Sequence, residues 1–179
     1  MLLTHDTEMG MRAATTLVNS AEDPDTLVTV EQLVDFYRAF EYTGRFDGDQ
    51  AELSAVRELR PVLRALLTST RDEAVDMVNR LLDEADARPR LVRHGNADWH
   101  LHAVTPKQSF ATRIAVETAM AMIDVIRLDE MSRLSVCADP GCVGLVFDLS
   151  RNRSRRFCST ACGNRAAVAA YRARQSDTH

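Results

Sequence analysis

Four cysteines, Cys137, Cys142, Cys158 and Cys162, lie within 26 residues of this chain, and none lies elsewhere. The spacing is C-x4-C, fifteen residues, then C-x3-C. The N-terminal stretch is too polar for a secretory leader or a membrane span, so the expected compartment is the reducing cytoplasm. There, clustered thiols point to metal and not to a disulfide framework. Two close pairs separated by a short loop suit tetrahedral zinc. A redox-active thiol set and incidental buried cysteines are the competing readings. With four protein ligands the ion has no open position for water or substrate. It is one structural Zn2+, replacing the core that about 43 residues cannot build.

The surrounding residues predict local structure around each pair. Asp139-Pro140-Gly141 reads as a tight turn that aims backbone N–H groups at the sulfurs. Cys158 and Cys162 are four apart and predict a shared face in the first turn of a helix, where unpaired N–H groups stabilise thiolates. Between the pairs, "VGLVFDLSRNRSRRFC" reads as a strand, a polar turn from Arg151 to Ser154, and a short return strand. Knuckle, hairpin and ligand-bearing helix make a treble-clef arrangement.

Charge divides the chain at the same place. The net charge is −4, yet residues 137–179 carry seven arginines against three aspartates, while residues 1–136 carry 15 basic against 23 acidic residues. This predicts an acidic body and a basic module. Arg151, Arg153, Arg155 and Arg156 crowd one hairpin, and Arg165 and Arg172 are seven apart on one helical stripe. Guanidinium groups bind phosphates bidentately, so these six form a candidate nucleic-acid footprint. The opposing reading is a solvated face, or pairing with the acidic body. Arginine outnumbers lysine 21 to 1, so composition accounts for part of the signal. Arg156 and Arg165, near the ligands, are also candidates for bracing the metal site.

The body, residues 1–133, reads mostly as helix. Helical spacing runs through "EMGMRAATTLVN". Thr29 and Gln32 form a capping box before a stripe of Leu33, Phe36, Tyr37 and Phe40, with Gly44 as the stop. "DQAELSAVRELRPVLRALLTS" is a third helix, with a kink or interruption expected at Pro61. "DEAVDMVNRLLDEADA" is a fourth. Between Pro89 and Pro106 the pattern alternates around Gly95-Asn96, predicting a β-hairpin in which His94 opposes Trp99. That register puts His94 on one face and His100 and His102 on the other, so three histidines do not meet on one ion. Thr105-Pro106-Lys107-Gln108 then predicts the start of the longest helix, to about Arg133, with Phe110, Ile114, Met122, Ile123 and Ile126 inward. The module follows this helix directly, which predicts an attached domain and not a flexible tail. The expected fold is α+β, a mostly helical body with one β-hairpin and a treble-clef-like zinc module at residues 134–179.

At this point the residues resemble a known family. "SRLSVCADPGCVGLVFDLSRNRSRRFCSTACGNRAAVAAYRARQ" is similar to the CGNR zinc finger, named for the string at 162–165, in cysteines, arginines and spacing together. Two positions depart from its pattern, Phe157 for the common Trp and Ala167 for a common Lys; neither removes a ligand. Such fingers usually follow an ABATE-type domain, and "TTLVNS…DTLVTVEQLVDFY" with the long helix before the finger resembles one. The resemblance implies a stress-induced transcription regulator that binds DNA.

Nucleophile-elbow, Walker and dinucleotide fingerprints do not occur, and no catalytic residue stands out. The expected function is DNA-binding transcriptional regulation, without catalysis or a membrane partner. The alternative is a zinc-finger adaptor for RNA or protein, and a third reading is an enzyme sited in the helical body. In the DNA-binding and adaptor readings alike the body is a candidate sensor of a small ligand.

Overall fold

The computed structural model describes residues 3–93 and 99–176. They divide into two compact units, one running to Met131 and the other beginning at Ser132. The chain is α+β and mostly helical. No helix among the described residues is long and apolar enough to cross a membrane.

Five helices build the first unit: α1 (His5–Asn19), α2 (Val30–Ala39), α3 (Gln50–Thr68), α4 (Arg71–Glu84) and α5 (Phe110–Arg127). Each starts on a side chain that accepts a hydrogen bond from an otherwise unpaired N–H: Thr4, Thr29, Asp49, Thr70 and Ser109. At Thr29 and Thr70 the cap is reciprocal, with Gln32 and Glu73 reaching back. Helix α5 is the hub, packing against α1, α3 and α4. Met11, Leu17, Leu33, Leu53, Val56, Leu63, Leu66, Phe110, Ile114 and Met122 are fully covered. Where α1 crosses α5, a Cβ on Gly10 would lie 3.2 Å from Ala121 Cβ and 3.3 Å from the Glu117 carbonyl oxygen, so glycine sets the approach. Two buried arginines tie the loops to this core. Arg60 donates to Asp25 and to the Leu27 carbonyl, each at 2.9 Å, and Arg113 donates to the carbonyls of Thr43 and Arg45.

Several boundaries differ from the sequence expectation. Helix α3 runs through Pro61 without interruption, because that residue lies on the exposed side. Helix α2 ends at Ala39, and Glu41 takes the left-handed conformation, φ 53°, so Gly44 lies in the following loop. Helix α5 starts from Ser109 and not from Thr105. The Pro106 carbonyl accepts the Arg45 N–H at 2.7 Å, which holds the proline in the loop. The helix stops at Arg127, with Asp129 left-handed at φ 57°, and a separate 3-10 turn covers Met131–Arg133. Phe110, Ile114 and Met122 are buried as expected, while Ile123 and Ile126 are only partly covered and Val125 takes the inward place.

The expected hairpin is present as β1 (Arg90–Val92) and β2 (His100–His102), antiparallel. Its register is shifted by one from the prediction: Leu91 opposes Leu101 and Val92 opposes His100. The connection is longer than a four-residue turn, and one residue of slip exchanges the faces. Leu91 and Leu101 are exposed, whereas His100 and His102 are partly covered, with their Nε2 atoms 3.0 Å apart. The predicted turn and His94 fall outside the described residues.

One acid in this core makes stability depend on pH. Burial pushes the Glu117 carboxyl up to about 7, with Asp6 adding to the rise and Arg113 and His100 opposing it. Below its ordinary value of 4.5 the group is neutral folded and unfolded alike. As pH rises from there to about 7, the unfolded chain ionises and the folded one resists, so stability is lost. The loss reaches about 2–3 kcal/mol. Glu117→Gln is therefore expected to flatten this part of the stability profile between about pH 5 and 8 in denaturant titrations. Parallel profiles for the two proteins would disprove the assignment.

Candidate metal centre

The second unit contains two more strands, β3 (Leu134–Val136) and β4 (Leu145–Phe147), and helix α6 (Thr160–Ser176). Strands β3 and β4 pair antiparallel, Ser135 opposite Val146, and the first two cysteines sit on the turn between them. The sequence places the hairpin later, with a return strand after Ser154, and that strand does not form. The segment is held instead by separate bonds. Asp148, buried, accepts the Ser150 N–H on one carboxylate oxygen and the Arg155 N–H on the other, both at 2.7 Å. Ala138 N–H donates to the Arg156 carbonyl at 2.8 Å. Burial raises the Asp148 pKa, but the bonds from Ser150 and Arg155 and the nearby Arg133 charge outweigh it, and the carboxyl lies below its ordinary value.

The turn and α6 bring the four sulfurs of Cys137, Cys142, Cys158 and Cys162 within 4.8 Å of one another. Cys142 and Cys158 sulfurs are 3.5 Å apart and those of Cys158 and Cys162 3.6 Å. No disulfide links them. A zinc ion at about 2.3 Å from each of four sulfurs implies sulfur–sulfur edges of about 3.8 Å, so the spacing matches one tetrahedral ion. Gly144 packs against this set: a Cβ there would lie 3.0 Å from the Cys158 sulfur and 3.3 Å from that of Cys142. The space is shaped to the sulfurs, and any side chain at Gly144 would crowd two of them. Thiols this crowded resist ionising together. Burial raises the Cys158 pKa, and the three other cysteines raise it further. A divalent cation relieves that repulsion. The residues fit a single structural zinc with a closed coordination sphere.

Neighbouring groups complete the centre. The Gly144 N–H donates to the Cys142 sulfur at 3.3 Å, and the Cys158 N–H to the Cys137 sulfur at 3.5 Å. The predicted role of the Asp139-Pro140-Gly141 turn is therefore corrected: the N–H groups of Gly141 and Cys142 go to Asp139 itself. Cys158 lies two residues before α6 and Cys162 in its first turn. Between them Ser159 accepts the Cys162 N–H at 3.2 Å and donates its hydroxyl to the Cys162 sulfur at 3.3 Å. That hydroxyl, more than any other group, lowers the Cys162 pKa. Arg165 donates from Nε to the Asp139 carboxylate at 2.8 Å and from a terminal nitrogen to the Cys162 sulfur at 3.0 Å. One guanidinium thus joins the knuckle to the helix and offsets thiolate charge. Its hydrogen bond is also the main reason the Asp139 carboxyl lies below its ordinary range. Asp139 and Ser159 escape sequence reasoning, because their roles depend on the folded knuckle. The proximity of Arg165 to Cys162 is the one signal the sequence offers.

The six arginines of the expected footprint are all exposed, but they are not equivalent. Arg165 is engaged as described. Arg155 donates to the carbonyls of Phe157 and Cys158, at 3.2 and 3.0 Å, bracing the approach to α6. Arg153, left-handed at φ 49°, donates to the Ser132 hydroxyl. Arg156 lies over the Phe157 ring, 6.0 Å from its centre. Arg151 and Arg172 extend into solvent. Among the described residues, the four cysteines are the only group of three or more metal-binding side chains close enough to share an ion.

Comparison with known families agrees with this division. The model of the ABATE family, described as "putative stress-induced transcription regulator", matches residues 11–128. The model of the CGNR zinc finger matches residues 133–175. No curated protein matches the chain.

Proposed function

The chain belongs to the ABATE family and carries a CGNR zinc finger after that domain, and from that premise we propose that it regulates transcription by binding duplex DNA. Neither family is an enzyme family. The observation that carries the proposal is a metal-built scaffold with exposed guanidinium groups at Arg151, Arg156 and Arg172. Cys137, Cys142, Cys158 and Cys162 hold the zinc, which when bound supplies a crosslink and no reactive site. Asp148 then fixes the loop that carries Arg151 and Arg153, and Arg165 fixes the first turn of α6. The backbone that carries these arginines is already ordered, so little backbone freedom is lost on binding. The body is the regulatory part in this reading, and the protein acts in the cytoplasm.

Salt dependence tests the proposal. Replacing Arg151 and Arg156 together by alanine is expected to leave zinc content and melting unchanged and to weaken binding to every duplex alike. The slope of log affinity against log salt should fall by roughly two, at about 0.9 for each phosphate that is no longer neutralised. Unchanged affinity and slope would remove the arginine face as the DNA-binding surface and favour an adaptor that docks on protein.

A further inference from the structure

Helix α6 continues well past the metal. Cys162 is buried and Gly163 and Ala166 are partly covered, but every residue from Ala167 to Gln175 is exposed. A helix without tertiary cover lacks most of what stabilises helices in proteins, and this one is 17 residues long. Its charge indicates what covers it. Between Thr160 and Ser176 stand Arg165, Arg172 and Arg174 and no acidic residue, so the complementary surface is anionic.

The side chains are sorted around the helix. At about 100° per residue, Asn164, Val168, Tyr171, Arg172 and Gln175 fall within an arc of about 100°. Cys162, Ala166 and Ala173 lie on the other side. Val168 and Tyr171 are 48% and 56% exposed, apolar surface that the fold itself does not use. The Gln175 amide donates to the Tyr171 hydroxyl at 2.7 Å, holding these two side chains together.

We infer that this arc of α6 lies in the major groove of duplex DNA and reads its bases, while Arg151 and Arg156 grip the phosphates outside. The inference rests on the DNA-binding reading above and adds the element that gives it sequence preference. The residue types match base-edge chemistry. The Asn164 amide offers the donor and acceptor that adenine complements, Arg172 offers the paired donors for guanine, and Val168 offers an apolar surface for the thymine methyl. Alanines at 166, 167, 169, 170 and 173 keep the rod narrow, which suits a groove about 12 Å wide. The deep, narrow groove of duplex RNA does not admit it.

The test uses the full zinc-loaded chain. A preferred sequence is selected from a random duplex library, and affinity is measured on it and on a scrambled duplex. Wild type should prefer the selected site. Asn164→Ala with Arg172→Ala, both at exposed positions, should keep zinc yet lose roughly a hundredfold of that preference. Arg151→Ala with Arg156→Ala should weaken both duplexes and keep their ratio. If the α6 variant retains the wild-type ratio, the inference is wrong. Wild-type binding to duplex DNA with no preference also overturns it and leaves the DNA-binding reading standing. Failure to bind any duplex at low salt removes both, and tighter binding to the matching RNA duplex replaces this partner with another.

Discussion

Cys162→Ser is expected to release the zinc and unfold the C-terminal unit, while the helices of the ABATE domain persist. The sulfur of Cys162 is a buried member of the donor set and also the acceptor for Ser159 and Arg165. Serine leaves the ion one soft donor short, and it removes the sulfur to which Ser159 and Arg165 donate. The unit has little to fall back on. Its buried apolar side chains, besides the cysteines, are Leu145, Val146 and Phe147. Three such side chains are too few to offset the ordering of the whole unit. Zinc binding, together with the backbone and side-chain bonds around it, decides whether the unit folds. Metal analysis should find one zinc in the wild type and none in the variant. Far-ultraviolet dichroism should show the loss of α6 and little more. A variant that holds a full equivalent of zinc would refute the ligand assignment. Collapse of the whole helical signal would mean that the two units depend on one another for folding.

Phe110→Ala should act in the opposite sense, destabilising the body by about 3–5 kcal/mol and leaving the zinc in place. Phe110 is fully buried at the first turn of α5. Around it stand Tyr42, Tyr37, Phe46 and Phe36, with ring centres 4.9, 5.2, 5.6 and 6.2 Å away. The Arg113 guanidinium lies 5.4 Å from its ring. The three nearest rings meet it edge-on, the arrangement that adds to simple area burial. Truncation removes the centre of this cluster, and the neighbours are fixed by the loop that Arg113 binds, so the space cannot close. Denaturant titration should show the midpoint falling sharply. A cost under about 1 kcal/mol would show that the cluster repacks freely.

The metal site is readable in the sequence because metal chemistry leaves few alternatives: four thiols in two pairs admit one common arrangement. The helices are readable from their apolar spacing, and the cap at Thr29 and Gln32 forms as its pattern implies. What sequence reasoning misses are features decided between segments. The hairpin register depends on the length of a connection, and a local turn signal does not measure that. The pattern at Thr105 is a good local start for α5, but the Arg45 N–H holds the Pro106 carbonyl outside the helix. The segment after Ser154 has suitable residues for a return strand, yet Asp148 takes its first N–H, that of Arg155. The six arginines look alike in sequence. Only the fold separates Arg155 and Arg165, occupied by carbonyls, a carboxylate and a sulfur, from Arg151 and Arg172, which face solvent.

Asp148 carries a consequence of its own. A single covered carboxylate spans both arms of the loop that displays Arg151 and Arg153, so the number of charges and the distance between them are set by different residues. Substitutions among the arginines change how strongly the loop attracts a polyanion, and Asp148 preserves where each charge stands. Attraction and fit are thus free to drift independently, and a lineage can retune one without re-inventing the other.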